Sequence, residues 1–201
     1  MIGKFITLEG MDGAGKSTHI PSIIEMLQVR GHEVVSTREP GGTALGERLR
    51  EILLHEPMHA ETETLLMFAA RREHIARVIA PALERGAYVL SDRFTDATYA
   101  YQCGAKGVTG SKVHLLELWV QSALQPDITL LFDVPVEVSM QRLSSARTPD
   151  KFERENADFF TRIREAYLQR AEQDPTRFRV IDANKSLEEV NVSVANIIAT
   201  L

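Results

Sequence analysis

The 201-residue chain has one cysteine, Cys103, and one tryptophan, Trp119. A single thiol cannot form an intramolecular disulfide, so the fold does not rest on cross-links and a reducing compartment is expected. No apolar run approaches the ~20 residues that span a bilayer. The opening MIGKFITLE passes straight into a strand-like pattern, without the long apolar core and small-residue cleavage site of a signal peptide. These absences lead to the expectation of a cytoplasmic protein that does not engage membranes. Excess positive charge is missing too. The net charge is −5, which argues against a nucleic-acid binder working through broad electrostatics. No repeat, low-complexity segment or Pro/Ser-rich linker divides the chain, so a single domain over 1–201 is expected.

Short β-rich runs at Phe5–Leu8, Glu33–Ser36, Ala87–Ser91, Ile128–Phe132 and Phe178–Ile181 alternate with helical patterns. The helical patterns fall near 16–30, 43–54, 61–85, 111–124, 135–145, 157–173 and 186–200. This alternation predicts an α/β fold with a parallel sheet covered on both faces. Ligands of such sheets bind beyond the carboxyl ends of the strands, so each strand-to-loop junction is a candidate site. Pro21 and Pro81 fall inside helical patterns and predict a kink or break there.

One junction carries a specific motif. Residues 10–18 read GMDGAGKST, and Gly10, Gly15, Lys16 and Ser17 satisfy G-x-x-x-x-G-K-[ST] between a strand and a helix. The run Gly10, Met11, Asp12, Gly13, Ala14, Gly15, Lys16, Ser17 and Thr18 is the expected nucleotide triphosphate cradle, a P-loop. Its backbone N–H groups and helix dipole attract phosphate, Lys16 reaches the β/γ-phosphates, and the Ser17 hydroxyl ligates Mg²⁺. Two strand-end acids, Asp92 and Asp133, are candidates to hold that ion through water. Asp92 is the favoured one because Arg93 follows it at once, whereas Asp133 also suits a helix cap or turn.

A nucleotide switch would need a guanine-reading N-K-x-D, and Asn184-Lys185-Ser186-Leu187 lacks the aspartate. That stretch reads instead as a strand end and a Ser186–Glu189 capping box. A phosphotransferase needs a second anion site and mobile positive charge. Arg38 and Arg93, at two strand ends, can grip an acceptor phosphate. The polar, basic RLSSARTPDKFER (142–154) suits either a lid or an ordinary surface loop.

GMDGAGKST, TREPGG, LLMFAARREH, SDRF, AYQ and ENADFFTRIREAYL occur in this order and together resemble the thymidylate kinases over nearly the whole chain. The resemblance implies a P-loop fold with a five-stranded parallel sheet, a lid at about 142–156, and a homodimer. It also implies transfer of the γ-phosphoryl of ATP to dTMP with Mg²⁺. Within LLMFAARREH, Phe68 and Arg72 are four apart and share a helix face. Phe68 would stack on the pyrimidine and Arg72 would donate to its carbonyl, although core packing and a surface ion pair are the ordinary roles of such residues. By the same resemblance Tyr101 crowds the sugar 2′ position, Gln102 accompanies it, and Thr98 lies near the base. Asp12 would accept from the dTMP 3′-hydroxyl. Gly13 matches the arrangement in which a lid arginine supplies catalytic charge. Arg147 best matches that arginine, and Arg142 matches the residue stacking on adenine. The lid is one residue shorter than the usual pattern and carries Lys151 where an arginine is common, which leaves the charge to Arg147 or Lys151. Trp119 suits the core or a dimer face equally.

Overall fold

The structure is a computed structural model that describes residues 3–144 and 150–201. Five parallel strands form one sheet: β1 Phe5–Glu9, β2 Val34–Arg38, β3 Tyr88–Asp92, β4 Ile128–Asp133 and β5 Phe178–Asp182, in the order β2-β3-β1-β4-β5. The five runs expected from the sequence are these five strands, each reaching one residue or more further toward its carboxyl end. The central strand β1 is fully buried, as expected when both faces of a parallel sheet are covered. Alternate residues of β1 and β3 serve different cores. Ile6, Leu8, Tyr88 and Leu90 pack with Ile23 and Leu27, while Phe5 and Val89 pack with Phe68, Ile79 and Val113.

The helices described are α1 Lys16–Val29, α2 Ala44–His55, α3 Ala60–His74, α4 Ala80–Glu84, α5 Thr95–Thr98, α6 Gly110–Gln121, α7 Val136–Ser144, α8 Ala157–Gln173 and α9 Leu187–Ile198. The Ser186–Glu189 capping box starts α9 as expected. One helical expectation is corrected. The helix at 61–85 is not continuous, because a π-helical segment, Ile75–Ile79, separates α3 from α4. Pro81, which lacks an N–H for the regular ladder, lies in the first turn of α4. By contrast α1 runs through Pro21 without ending. The segment after Arg93, which carries no helical pattern in the sequence, is helical: α5 continues into a second π segment, Tyr99–Ala105.

Two buried acids tie the layers together. Asp96 on α5 accepts from Arg170 of α8 and from Arg177, which precedes β5. Arg177 also donates to Thr129 of β4. Glu9, the last residue of β1, accepts from the Phe94 amide at 2.7 Å and faces the Tyr167 hydroxyl at 2.8 Å. Burial, with Asp96 close by, pushes the Glu9 carboxyl up to about 8, against the pull of Arg93 and its two hydrogen bonds.

Removing one partner of a buried ion pair strands the others. Asp96→Ala should therefore destabilise the protein by about 3–5 kcal/mol, while Glu33→Ala, which breaks the exposed Arg85–Glu33 pair, should cost about 0–1 kcal/mol. Urea unfolding of both variants checks the contrast. Glu9 sets a pH dependence as well. Its folded pKa lies above the unfolded value, so its contribution to stability is full below about 4.5 and is lost as pH rises through about 8. Glu9→Gln should flatten the decline of stability measured between roughly pH 5 and pH 9.

Candidate functional site

The phosphate loop joins β1 to α1 and holds its shape through left-handed glycines. Gly13 has φ 78° and Gly15 φ 93°. Gly15 caps α1 with no side-chain bond to the first-turn amides, which leaves the Lys16 and Ser17 N–H groups for an anion, while the Thr18 amide donates to the Gly15 carbonyl. Lys16 lies back along the loop, its Nζ donating to the carbonyls of Gly10 and Met11 at 3.0 Å each. The loop is pinned from α7. The Ser139 hydroxyl donates to the Asp12 carbonyl at 2.6 Å, and a Cβ on Gly13 would lie 2.6 Å from the Ser139 carbonyl oxygen. Arg142, in the last turn of α7, donates to the carbonyls of Gly13 and Ala183. Beside it a cleft lined by Ala14, Thr18, His19, Lys185 and Leu187 continues from the loop. Met11 and Ala14 are buried and serve the core.

The two strand-end acids separate cleanly. Asp133 receives Nε and Nη2 of Arg164 at 2.7 and 2.8 Å, a bidentate pair that joins β4 to α8. Asp92 keeps a buried Oδ1 without a hydrogen-bond partner among the described residues. It borders the same cleft as Lys16 and Ser17. An unpartnered carboxylate oxygen near a loop hydroxyl is a fitting donor set for Mg²⁺ completed by water and phosphate. Among the described residues no cluster of three His, Cys, Asp or Glu side chains forms a metal cage.

Arg93 stands at the centre. It has φ 72°, a strained value for a non-glycine residue. Its amide donates to the Leu8 carbonyl, and its own carbonyl accepts from the Ser91 hydroxyl at 2.7 Å. The turn aims the guanidinium at Asp12 Oδ1 (2.8 Å), the Tyr101 hydroxyl (2.9 Å) and the Tyr167 hydroxyl (2.9 Å). Tyr101 donates in turn to Asp12 Oδ2 at 2.8 Å. Burial alone would raise the Asp12 carboxyl, but the charges of Arg93 and Lys16 outweigh it and hold Asp12 well below the carboxylate range. The same contacts hold Arg93 firmly protonated despite its burial.

A second cavity opens on the other side of Asp12 and Arg93. Arg50, Arg71, Thr98, Gln102, Met67 and Phe152 are among its walls. The expectation for the base-binding pair is corrected here by one residue. Met67 and Arg71 face the cavity, whereas Phe68 and Arg72 do not line it. Phe68 is buried in the second core. Arg72 donates to the Val120 carbonyl of α6 in a groove with Leu65 and Trp119. Both pairs have i, i+4 spacing, so periodicity could not choose between them; the packing of α3 against β3 and α6 sets the phase.

Arg71 is nearly enclosed. Its Nε donates to Glu39 and its Nη2 to Thr98 and the Phe94 carbonyl, but its Nη1 is buried without a partner among the described residues. Gln102 donates to the buried Glu63, which also receives Lys106. Lys151 makes an ion pair with Glu63 at 2.8 Å and donates to the Glu56 carbonyl, so it is engaged away from the phosphate loop. Arg147 lies outside the described residues.

Arg38 borders the phosphate cleft and pairs with Glu47 at 2.8 Å. Arg50 borders both cavities, and burial with the neighbouring Arg38 charge lowers its pKa. Such crowding of cations is what an incoming anion relieves. Sequence reasoning missed Arg50, Glu39, Met67, Arg71, Phe152 and Tyr167. Arg50 sits on a helix of ordinary amphipathic pattern and carried no signal, while Arg71 lay inside a motif already singled out.

With this geometry in view, comparison with known proteins is specific. The family profile described as thymidylate kinase matches residues 8–194. A thymidylate kinase of Methylobacillus flagellatus is 70% identical over 98% of this chain and 97% of its own. One from Cupriavidus taiwanensis is 62% identical over the full length of both. The crystal structure of thymidylate kinase from Ehrlichia chaffeensis superposes with a TM-score of 0.78 at 32% identity, covering 98% of this chain and 99% of that one. The chain belongs to the thymidylate kinase family.

Proposed function

We propose that the protein transfers the γ-phosphoryl group of ATP to dTMP, giving dTDP and ADP. The observation that carries the choice of acceptor is the buried, unpartnered Nη1 of Arg71 in the second cavity. It is a donor waiting for an acceptor, which suits the 4-carbonyl of thymine and not the 4-amino group of cytosine. The acceptor 5′-phosphate lies by Arg93 and Arg50, with Arg38 beyond, and the ATP phosphates lie in the loop of Gly10–Thr18. An oxygen of the acceptor phosphate bonds to the γ-phosphorus as the bond to the β,γ-bridging oxygen breaks. Catalysis of such a loose transfer is chiefly positioning and charge stabilisation. Lys16 leaves its loop carbonyls to follow the β- and γ-phosphates, and Arg93 holds the acceptor oxygen in line. Arg147 brings further charge from the lid segment, 142–156 of this single kinase domain. Lys151, bound to Glu63, stays out of that role.

Ser17 and Asp92 would hold Mg²⁺ at the phosphates. The ion would supply charge neutralisation at the transferring phosphates. Arg142 covers the adenine beside the Thr18–Leu187 cleft. Asp12 orients the acceptor sugar through its 3′-hydroxyl. Its carboxylate has lone pairs to spare beyond Arg93 and Tyr101, and Tyr101 crowds the 2′ position. Met67 and Phe152 give the base apolar walls.

The working unit is a homodimer in the cytoplasm. Leu65, Leu115, Leu118 and Trp119 are exposed on α3 and α6, with Trp119 81% accessible. A tryptophan this bare within an apolar patch fits an interface better than a free surface.

An ADP-release assay with dTMP, dUMP, dCMP, AMP and GMP should give the highest kcat/KM with dTMP; highest activity with AMP or GMP would overturn the assignment. Sedimentation equilibrium should find a dimer, and Leu115→Asp with Trp119→Asp should convert it to a folded monomer. A monomeric unaltered protein at micromolar concentration would count against this interface.

A further inference from the structure

Behind Arg71 lies a buried relay that the reaction itself does not touch. Glu39 follows β2 and presents both carboxylate oxygens to α3. Oε2 accepts from Arg71 Nε at 2.7 Å and Oε1 faces His74 Nδ1 at 2.9 Å. On its other side His74 Nε2 lies 2.6 Å from the Thr37 hydroxyl. Glu39 is 4% exposed, Arg71 2% and His74 0%. The loop after Glu39 closes directly on the imidazole: Gly42 has φ 76°, and a Cβ there would come within 2.5 Å of His74 Nε2. The chain is therefore built around this ring. A neutral imidazole protonated on Nδ1 satisfies every group, donating to Glu39 and accepting from Thr37.

We propose that His74 is a positioning residue for acceptor selection, holding Glu39 so that the carboxylate takes only Nε of Arg71 and the guanidinium keeps Nη1 turned into the acceptor cavity. The alternative geometry is visible elsewhere in the same molecule. Asp133, with no such neighbour on its carboxylate, accepts both Nε and Nη2 of Arg164. With Oε1 released from His74, Glu39 would gain the same fork on Arg71, because bidentate pairing is the favoured arrangement of a free carboxylate. It would then compete for the Nη2 that now donates to Thr98 and to the Phe94 carbonyl. The guanidinium lies over the rings of Phe68 and Phe94, 4.7 and 5.1 Å from their centroids. Rotation against those rings to meet the second carboxylate oxygen would swing Nη1 off the base. Thr37 contributes by fixing the tautomer from the far side.

This inference rests on the proposed dTMP reading, and the experiment separates the two. His74→Leu, His74→Asn and Thr37→Val are assayed against dTMP and dCMP with kcat and KM resolved, alongside a thermal melt. The asparagine amide keeps a donor where Nδ1 stood. For His74→Leu, KM for dTMP should rise on the order of tenfold, the scale of one hydrogen bond to a charged group, with kcat within about twofold of the parent. The dTMP-to-dCMP ratio of kcat/KM should fall by a similar factor, and His74→Asn should recover most of both. Thr37→Val, which preserves shape, should shift the ratio in the same direction by less, and it keeps the test decisive if His74→Leu does not fold. Loss of kcat with an unchanged ratio, or, when His74→Leu is unfolded, an unchanged ratio in Thr37→Val, overturns the relay. If the unaltered protein does not prefer dTMP at all, it is the proposed function that fails.

Discussion

The site depends on the ion pair between Asp12 and Arg93. Asp12 belongs to the phosphate loop and Arg93 to the turn after β3, and together they form the wall between donor cleft and acceptor cavity. The pair survives burial because it is not isolated. Tyr101 and Tyr167 complete the guanidinium's bonds, and Tyr101 completes the carboxylate's. An unsupported pair would lose more in desolvation than it gains in attraction. Glu9 extends the support by holding both the Phe94 amide and Tyr167. A strained left-handed residue can therefore stand at the join, fixed from four sides, and the energy of the strain is met by the surrounding bonds.

The same arrangement explains how a chain of net charge −5 binds two polyanions. Positive charge is concentrated, not abundant. Arg38, Arg50 and Arg93 converge, and burial together with the charges of Arg38 and Arg93 lowers the Arg50 pKa. Most other arginines are consumed structurally: Arg164 by Asp133, and Arg170 and Arg177 by Asp96. Acids near the cleft are likewise divided between those that are paired and Asp92, which keeps a buried oxygen without a hydrogen-bond partner among the described residues.

How much of this was legible in the sequence depended on whether the signal was local. The five strands, the phosphate loop and the capping box are each specified by neighbouring residues, and they stand where expected. Asp92 and Arg93 could be chosen because the strand end itself carried them. The base-facing pair could not be phased, because Phe68–Arg72 and Met67–Arg71 have identical spacing. Only the tertiary packing of α3 turns the second pair inward. The π segment at Tyr99–Ala105 gives no helical signal for a related reason: a wide turn has a period that amphipathic patterns do not match. Arg50, Glu39 and Arg71 line one cavity from three separate segments, and no short window of sequence contains them.

The contact between Gly13 and α7 limits what the chain can become. Position 13 has a left-handed backbone, and any side chain placed there would strike the Ser139 carbonyl oxygen. A side chain at position 13, arginine included, is therefore not accommodated in this background by that change alone. An arginine at 13 would first require α7 to withdraw, which would release the Ser139 hydroxyl from Asp12. The phosphate loop and α7 are thus coupled through one backbone contact, so a side chain at 13 would have to be accompanied by a change in α7.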